Sequence, residues 1–183
     1  MLKSALILFV LFFLPFSKLS AAESRSAVDL YDIGEDLLLL IPREQSVIIE
    51  LREYFHAEVI DRVEIRSPYL RPTYKLQNVV ASDVSEVLVE SRSGGTGTAA
   101  TMLSIYVVTN HKLVLAGEFI LERSENQPSF NFESETKGSV EFLPAGRILY
   151  RWRTTGHDGK TVLADEGNDL YEYNGKYVKL VSK

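Results

Sequence analysis

The sequence predicts an all-β domain, with antiparallel hairpins forming a curved sheet, propeller-blade-like or a sandwich, behind an N-terminal signal peptide. Three observations carry that expectation. Short stretches of alternating apolar and polar residues recur with turn residues between them, at the spacing of roughly 8 to 12 residues expected of small strands. Asp158-Gly159 and Asn174-Gly175 are dipeptides that accept the positive φ of two-residue type I′ hairpin turns. Between residues 101 and 121, two β-branched runs flank Thr109-Asn110-His111 and are apolar on both faces, as in strands covered on both sides.

The 183-residue chain opens with Lys3, an uncharged apolar run from Ala5 to Pro15 and the small-residue exit Ser20-Ala21-Ala22, the three parts of a cleavable secretory signal. The run is shorter than the roughly 20 residues a membrane-spanning helix needs. Residues 1–22 are therefore expected to be removed near Ala22, leaving residues 23–183 as one exported domain, periplasmic or secreted. Loss of Lys3 and Lys18 makes the mature chain more acidic than the formal −5 of the whole sequence. That balance disfavours nucleic acid and anionic membranes, both of which draw on surplus Lys and Arg. The chain has no cysteine, so it forms no disulfide and takes no lipid at the Ala22-Glu23 boundary. An outer-membrane barrel is disfavoured, because the chain ends Val181-Ser182-Lys183 without an aromatic and lacks a sustained lipid-facing alternation. A soluble domain without stable membrane insertion is the expectation.

Glu23 to Gly34 reads as a polar lead-in. Asp36 to Ile41 holds four consecutive leucines and reads as a buried strand stopped by Pro42. Residues 46–66 admit two readings. Ile48, Leu51, Phe55, Val59 and Val63 recur at helical spacing, yet Val47-Ile48-Ile49 and the alternation of Val59, Val63 and Ile65 with charged residues are strand-like. The β-branched content favours two strands. Next come Val87-Leu88-Val89, a glycine-rich link from Ser93 to Thr98, and the hairpin of residues 101–108 and 112–121. If Asn110-His111 is its turn, Val108 faces Leu113, Tyr106 faces Leu115 and Met102 faces Phe119, while on the other face Val107 meets Val114, Ile105 meets Ala116 and Leu103 meets Glu118. Ile148, Tyr150 and Trp152 alternate with Arg151 and Arg153, which turns the arginines outward. In the last hairpin Tyr173 is expected opposite Lys176, with Tyr171, Tyr173, Val178 and Leu180 on one face.

Asp83 to Glu90, then Gly94-Gly95-Thr96-Gly97, then Leu103-Ser104-Ile105-Tyr106 resemble degenerate repeats of the FG-GAP/VCBS type found in exported bacterial proteins. Residues 169–177 are similar to a terminal hairpin of such proteins. The resemblance implies a β-blade-like sheet with a binding or scaffolding role and supplies no catalytic residue. It departs from the family at the calcium loop, since Asp83 is followed by Val84-Ser85-Glu86, too few oxygen ligands.

Gly95-Thr96-Gly97-Thr98-Ala99-Ala100 fits a dinucleotide fingerprint in letters, but strand-like sequence follows where a helix must hold the pyrophosphate. His56, His111 and His157 lack metal-ligand spacing, and Asp165-Glu166-Gly167-Asn168-Asp169 reads as a polar loop. If Phe130 to Glu135 is a strand, Glu133 and Glu135 share one face, as a glycosidase pair would, but a solvent-facing strand side is the commoner reason for such a pair. No nucleophile elbow occurs. The sequence thus names no catalytic residue, metal site or cofactor. Tyr150, Trp152, Tyr171 and Tyr173 are the candidate binding residues, since a row of Tyr and Trp beside Arg can stack sugar rings or anchor a protein; their alternation with Arg and Glu equally suits inward, core-facing strand positions. The expected function is a non-catalytic binding or envelope-accessory role with an envelope protein or polysaccharide partner. The alternative is a hydrolase acting on an envelope polymer or polysaccharide.

Overall fold

The computed structural model describes residues 28–33, 35–79, 86–157 and 159–182; the expected signal peptide and the Asp83-Val84-Ser85 turn lie outside them. The described chain is all-β. The strands are β1 (Asp29–Ile33), β2 (Asp36–Pro42), β3 (Ser46–Glu53), β4 (Val59–Arg66), β5 (Thr73–Gln77), β6 (Glu86–Gly95), β7 (Thr98–Val108), β8 (Leu113–Gln127), β9 (Phe132–Leu143), β10 (Arg147–His157), β11 (Val162–Tyr173) and β12 (Val178–Ser182). They form two antiparallel meanders: a four-stranded sheet in the order β1-β2-β3-β4 and an eight-stranded sheet running from β5 to β12. Neither closes into a barrel.

Residues 46–66 are two strands. Val47, Ile49 and Leu51 share one face of β3, and Val47 and Ile49 pair with Ile65 and Val63 of β4. The β-branched side chains pack on a pleated surface here, where a helix would restrict their χ1 rotamers. The polar lead-in is corrected in part: Asp29–Ile33 is strand β1, paired with β2 from Asp29↔Leu40 to Ile33↔Asp36. Pro42 does not stop β2 but ends it from within, paired with Val47.

Two apolar clusters make the fold layered. In the first, Leu38, Leu40, Val47, Ile49, Leu51 and Ile65 of the small sheet pack on Val87, Val89, Tyr106 and Leu113 of β6 to β8. In the second, Leu88, Ile105, Val107, Ala116 and Phe119 on the opposite face of those strands pack on Ile148, Tyr150 and Tyr173 of β10 and β11. Alternating residues of β6 and β7 thus feed two cores, which is why both faces are apolar. The expected double cover of this hairpin holds.

The large sheet reaches back over itself because it divides. β8 and β9 pair only from Glu122↔Lys137 to Gln127↔Phe132. Beyond that, Leu113 to Leu121 keeps β7 as its partner, while β9 onward stays with β10 and turns across the second core. At the fork a Cβ on Gly138 would lie 2.1 Å from the Ile120 carbonyl oxygen, so only glycine fits. The Tyr150 hydroxyl donates to that same carbonyl at 2.9 Å, supplying the partner that the departing strand withholds. Past the fork, β7 to β11 continue as one layer, largely polar, exposed on the outer face and half-buried on much of the inner one.

Three register expectations are corrected. The Asn110-His111 turn has φ of 51° and 56° and closes with Thr109 and Lys112 as expected. Val108↔Leu113, Val107↔Val114 and Tyr106↔Leu115 also hold. A bulge at Ala116 then shifts the pairing to Ile105↔Gly117, Leu103↔Phe119 and Met102↔Ile120. One inserted residue flips the side chains from Gly117 to Ile120, up to a second bulge at Leu121, so Phe119 enters the second core in place of Glu118. Glu118 instead accepts a hydrogen bond from Ser104 at 3.0 Å. In the last hairpin Tyr173 pairs with Val178, not Lys176, because Asn174 to Tyr177 make a four-residue turn in which the Asn174 amide oxygen accepts from the N–H groups of Lys176 and Tyr177. The displacement is two residues, so the expected faces survive. Likewise His157 pairs with Val162, leaving four residues where the Asp158-Gly159 turn was expected; Asp158 itself lies outside the described residues.

Candidate functional site

Tyr150, Trp152, Tyr171 and Tyr173 share the inner face of β10 and β11, where they belong to the second core. Tyr150 and Tyr173 are buried, and Trp152 and Tyr171 are half-buried. Phe119 packs on Tyr150 and edge-on against Tyr171, with ring centroids 5.4 and 5.2 Å apart. The Trp152 indole covers Gly167, whose missing side chain makes room for it, and its Nε1 donates to Asp169 at 3.1 Å. Burial is the main reason that the hydroxyls of Tyr150, Tyr171 and Tyr173 titrate above the ordinary tyrosine range, with Asp169 adding for the first two and Glu86 for the third. They remain neutral donors. Among the described residues the buried Tyr173 hydroxyl makes no well-formed hydrogen bond, although the Glu86 carboxylate acts on it. The four aromatics are therefore brought together, but as the wall of a core.

The opposite, outer face of the same strands carries the open surface. Cross-strand pairing aligns Ser139, Arg151 and Asn168 in one row and Lys137, Arg153 and Glu166 in the next. Between the rows lies a groove of ≈ 400 Å³, floored by the strand segments at Gly138, Trp152 and Gly167. Lys137 holds Glu135 at 3.1 Å and Arg151 holds Glu141 at 2.8 Å. Arg153 has no ion-pair partner among the described residues. Of the groove residues, the sequence pointed to Trp152 and to the outward arginines; Lys137, Ser139 and Asn168 become neighbours only through the register of three strands. Alternation along Glu133, Glu135, Lys137 and Ser139 was the signal available for one wall.

A second depression, ≈ 480 Å³, lies farther along the single-layered part and is lined by Ser124, Asn126, Glu133, Glu135 and Thr155, among others. Glu133 and Glu135 share the outer face as expected, and His157 Nε2 lies 3.3 Å from Glu133. Asp165 to Asp169 is not a loop but part of β11, paired residue by residue with β10. Strand alternation puts Asp165 and Asp169 on the inner face and Glu166 and Asn168 on the outer. The segment therefore does not gather its oxygens on one side. The histidines stay apart: His56 beside Glu53, His111 Nδ1 at 2.7 Å from the buried Asp36, and His157 beside Glu133. Among the described residues no three His, Asp or Glu side chains form a metal-binding group. The Gly95 to Ala100 segment is a tight hairpin, Gly95↔Thr98, with Gly97 at φ 87°. β7 follows it where a dinucleotide site needs a helix. Among the described residues no helix is long and apolar enough to cross a membrane.

Comparison of the chain with protein-family models, with curated proteins and with solved structures finds no match.

Proposed function

We propose that this chain is an exported β domain with a non-catalytic binding or envelope-accessory role, holding an envelope polysaccharide or protein on the outer face of β9 to β11. The groove across those strands carries the reading: it is open, polar and cationic in an otherwise acidic chain, and it stands on a sheet whose other face is anchored in a core. Binding sites are more accurately held on strands of a rigid scaffold than on loops. Export rests on the leader sequence and is part of the same proposal.

Sedimentation of the exported chain with purified, protein-free envelope polysaccharide, alongside assay of newly released reducing ends, tests the role. Retention without release is expected. One arrangement favours a hydrolase instead, namely Glu133 and Glu135 at the second depression with His157 beside Glu133. Release of reducing ends that disappears in Glu133→Gln or Glu135→Gln would establish that alternative. Failure to bind either the polysaccharide or an envelope protein would remove the binding role.

A further inference from the structure

The rows that bound the groove have an unusual charge pattern. Lys137 and Arg153 stand directly opposite each other on neighbouring strands. Like charges in that position repel, and sheets place opposite charges there when stability alone is at issue. Lys137 offsets the repulsion through Glu135, and Arg151, two residues before Arg153, is held by Glu141. Arg153 is opposite Glu166 on its other side, yet the two do not form an ion pair. Among the described residues the Arg153 guanidinium thus remains with its donors uncommitted, between a second cation and a carboxylate, on the wall of the larger sheet's cross-strand groove. Beside it stand a hydroxyl at Ser139, an amide at Asn168 and the Glu166 carboxylate, which can donate to and accept from alcohol groups.

We infer that this groove binds a carboxylated sugar chain, with Arg153 and Lys137 on a sugar carboxylate and Ser139, Asn168 and Glu166 on ring hydroxyls. The inference rests on the proposed binding role and names its ligand class. Charge balance chooses carboxylated sugar over polyphosphate or nucleic acid. Dense phosphate would meet Glu135, Glu141 and Glu166 at the same surface, whereas a sugar chain spaces its carboxylates a ring apart, so that one of them can meet Arg153, the groove arginine without an ion pair among the described residues. Arg is suited to that anion, because its planar fork matches a carboxylate with two parallel hydrogen bonds. Dimensions agree: the groove crosses three strands, about 10 Å at the usual strand spacing, long enough for a short stretch of an extended chain. The Trp152 indole lies on the far side of the sheet, so recognition here is by charge and hydrogen bonding, and aromatic stacking plays no part.

Calorimetric titration of the exported chain with a short oligogalacturonate, its fully methyl-esterified counterpart and inorganic polyphosphate tests the assignment. Binding of the oligogalacturonate is expected, at least about tenfold weaker for the ester and for Arg153→Gln, and weakened by added salt. Arg153→Lys keeps the charge and loses the fork, and an intermediate affinity is expected. Circular dichroism identical to the parent shows that these exposed substitutions leave the fold intact. Polyphosphate binding as tightly as the oligogalacturonate, or an unchanged affinity in Arg153→Gln, overturns the assignment. If no uronate binds while the chain still sediments with envelope polysaccharide or a protein, the ligand class fails and the binding role stands. If nothing binds in either assay, both fail.

Discussion

The two ends of the long strands obey the same pairing rules and differ in what covers them. At one end β6, β7 and the first half of β8 lie between two layers, with Val87 and Val89 facing the small sheet and Leu88, Ile105 and Val107 facing the returning half of their own sheet. At the other end β8 to β11 form one layer, where Glu125 to Glu133 and His157 to Val162 are separated only by turns and both faces meet water. The covered end draws its stability from apolar burial on both faces of each strand. The open end holds through its backbone ladder and cross-strand pairs such as Thr136 with Thr154, whose hydroxyls are 2.8 Å apart. Division of labour follows: the end with surplus packing anchors, and the surface beside and beyond the fork is free for recognition.

Substitutions at the two ends sharpen or break that contrast. Ile105→Ala empties a fully buried position between the layers, and urea unfolding should show a loss of about 2–5 kcal/mol. Loss below about 1 kcal/mol would mean that the layers are not packed at Ile105. Gly138→Ala should cost about 1–3 kcal/mol by the same measurement, because the new methyl meets the Ile120 carbonyl and the Tyr150 ring at the fork. Tyr150→Phe should cost about 1–2 kcal/mol, since it removes the hydroxyl that donates to Ile120. An unchanged midpoint would show that the fork does not need this donor.

A smaller effect concerns the seam between the sheets. Tyr74 of β5 donates to Asp29 of β1 at 2.8 Å, and burial, followed by that hydrogen bond, pushes its hydroxyl up to about 12. Its native pKa lies above the ordinary value of about 10. The contribution is therefore full below pH 10 and declines as pH rises from about 10 to 12, when the unfolded chain ionises more readily than the folded one. Tyr74→Phe should flatten the loss of unfolding free energy across that interval, and an unaltered slope would count against the seam. The smallest change is expected at the open end. Glu133→Gln, on an exposed ion pair with His157, should stay within about 0.5 kcal/mol of the parent. A larger loss would contradict the contrast between the ends.

The all-β class and the double cover of the central hairpin were legible because period-two alternation and β-branched content are local properties. Tyr106, Val108 and Leu113 on one side and Ile105 and Val107 on the other could be sorted from a single turn, Asn110-His111. The bulge at Ala116 was not legible, since what decides it is that Phe119 fills the second core better than Glu118, and that core is completed by strands 30 residues or more downstream. The four-residue turns at Asn174 and after His157 escaped for a related reason: Asn-Gly suits several turn types, and tertiary packing chose among them. At the groove, outward Arg151 and Arg153 were readable from alternation with Tyr150 and Trp152. Their meeting with Lys137, Ser139, Glu166 and Asn168 was not.

By itself, then, the sequence determined the strand content, the faces of the central hairpin next to its turn and the faces of the terminal hairpin, because each depends on neighbours within one or two turns of chain. Only the tertiary structure decided that the large sheet forks at Gly138 and Ile120, that the aromatic row faces a core, and that a free guanidinium stands at a groove on the reverse side. Those features arise from register between distant strands, where a displacement of one residue reverses every face, and local pattern leaves that displacement undetermined.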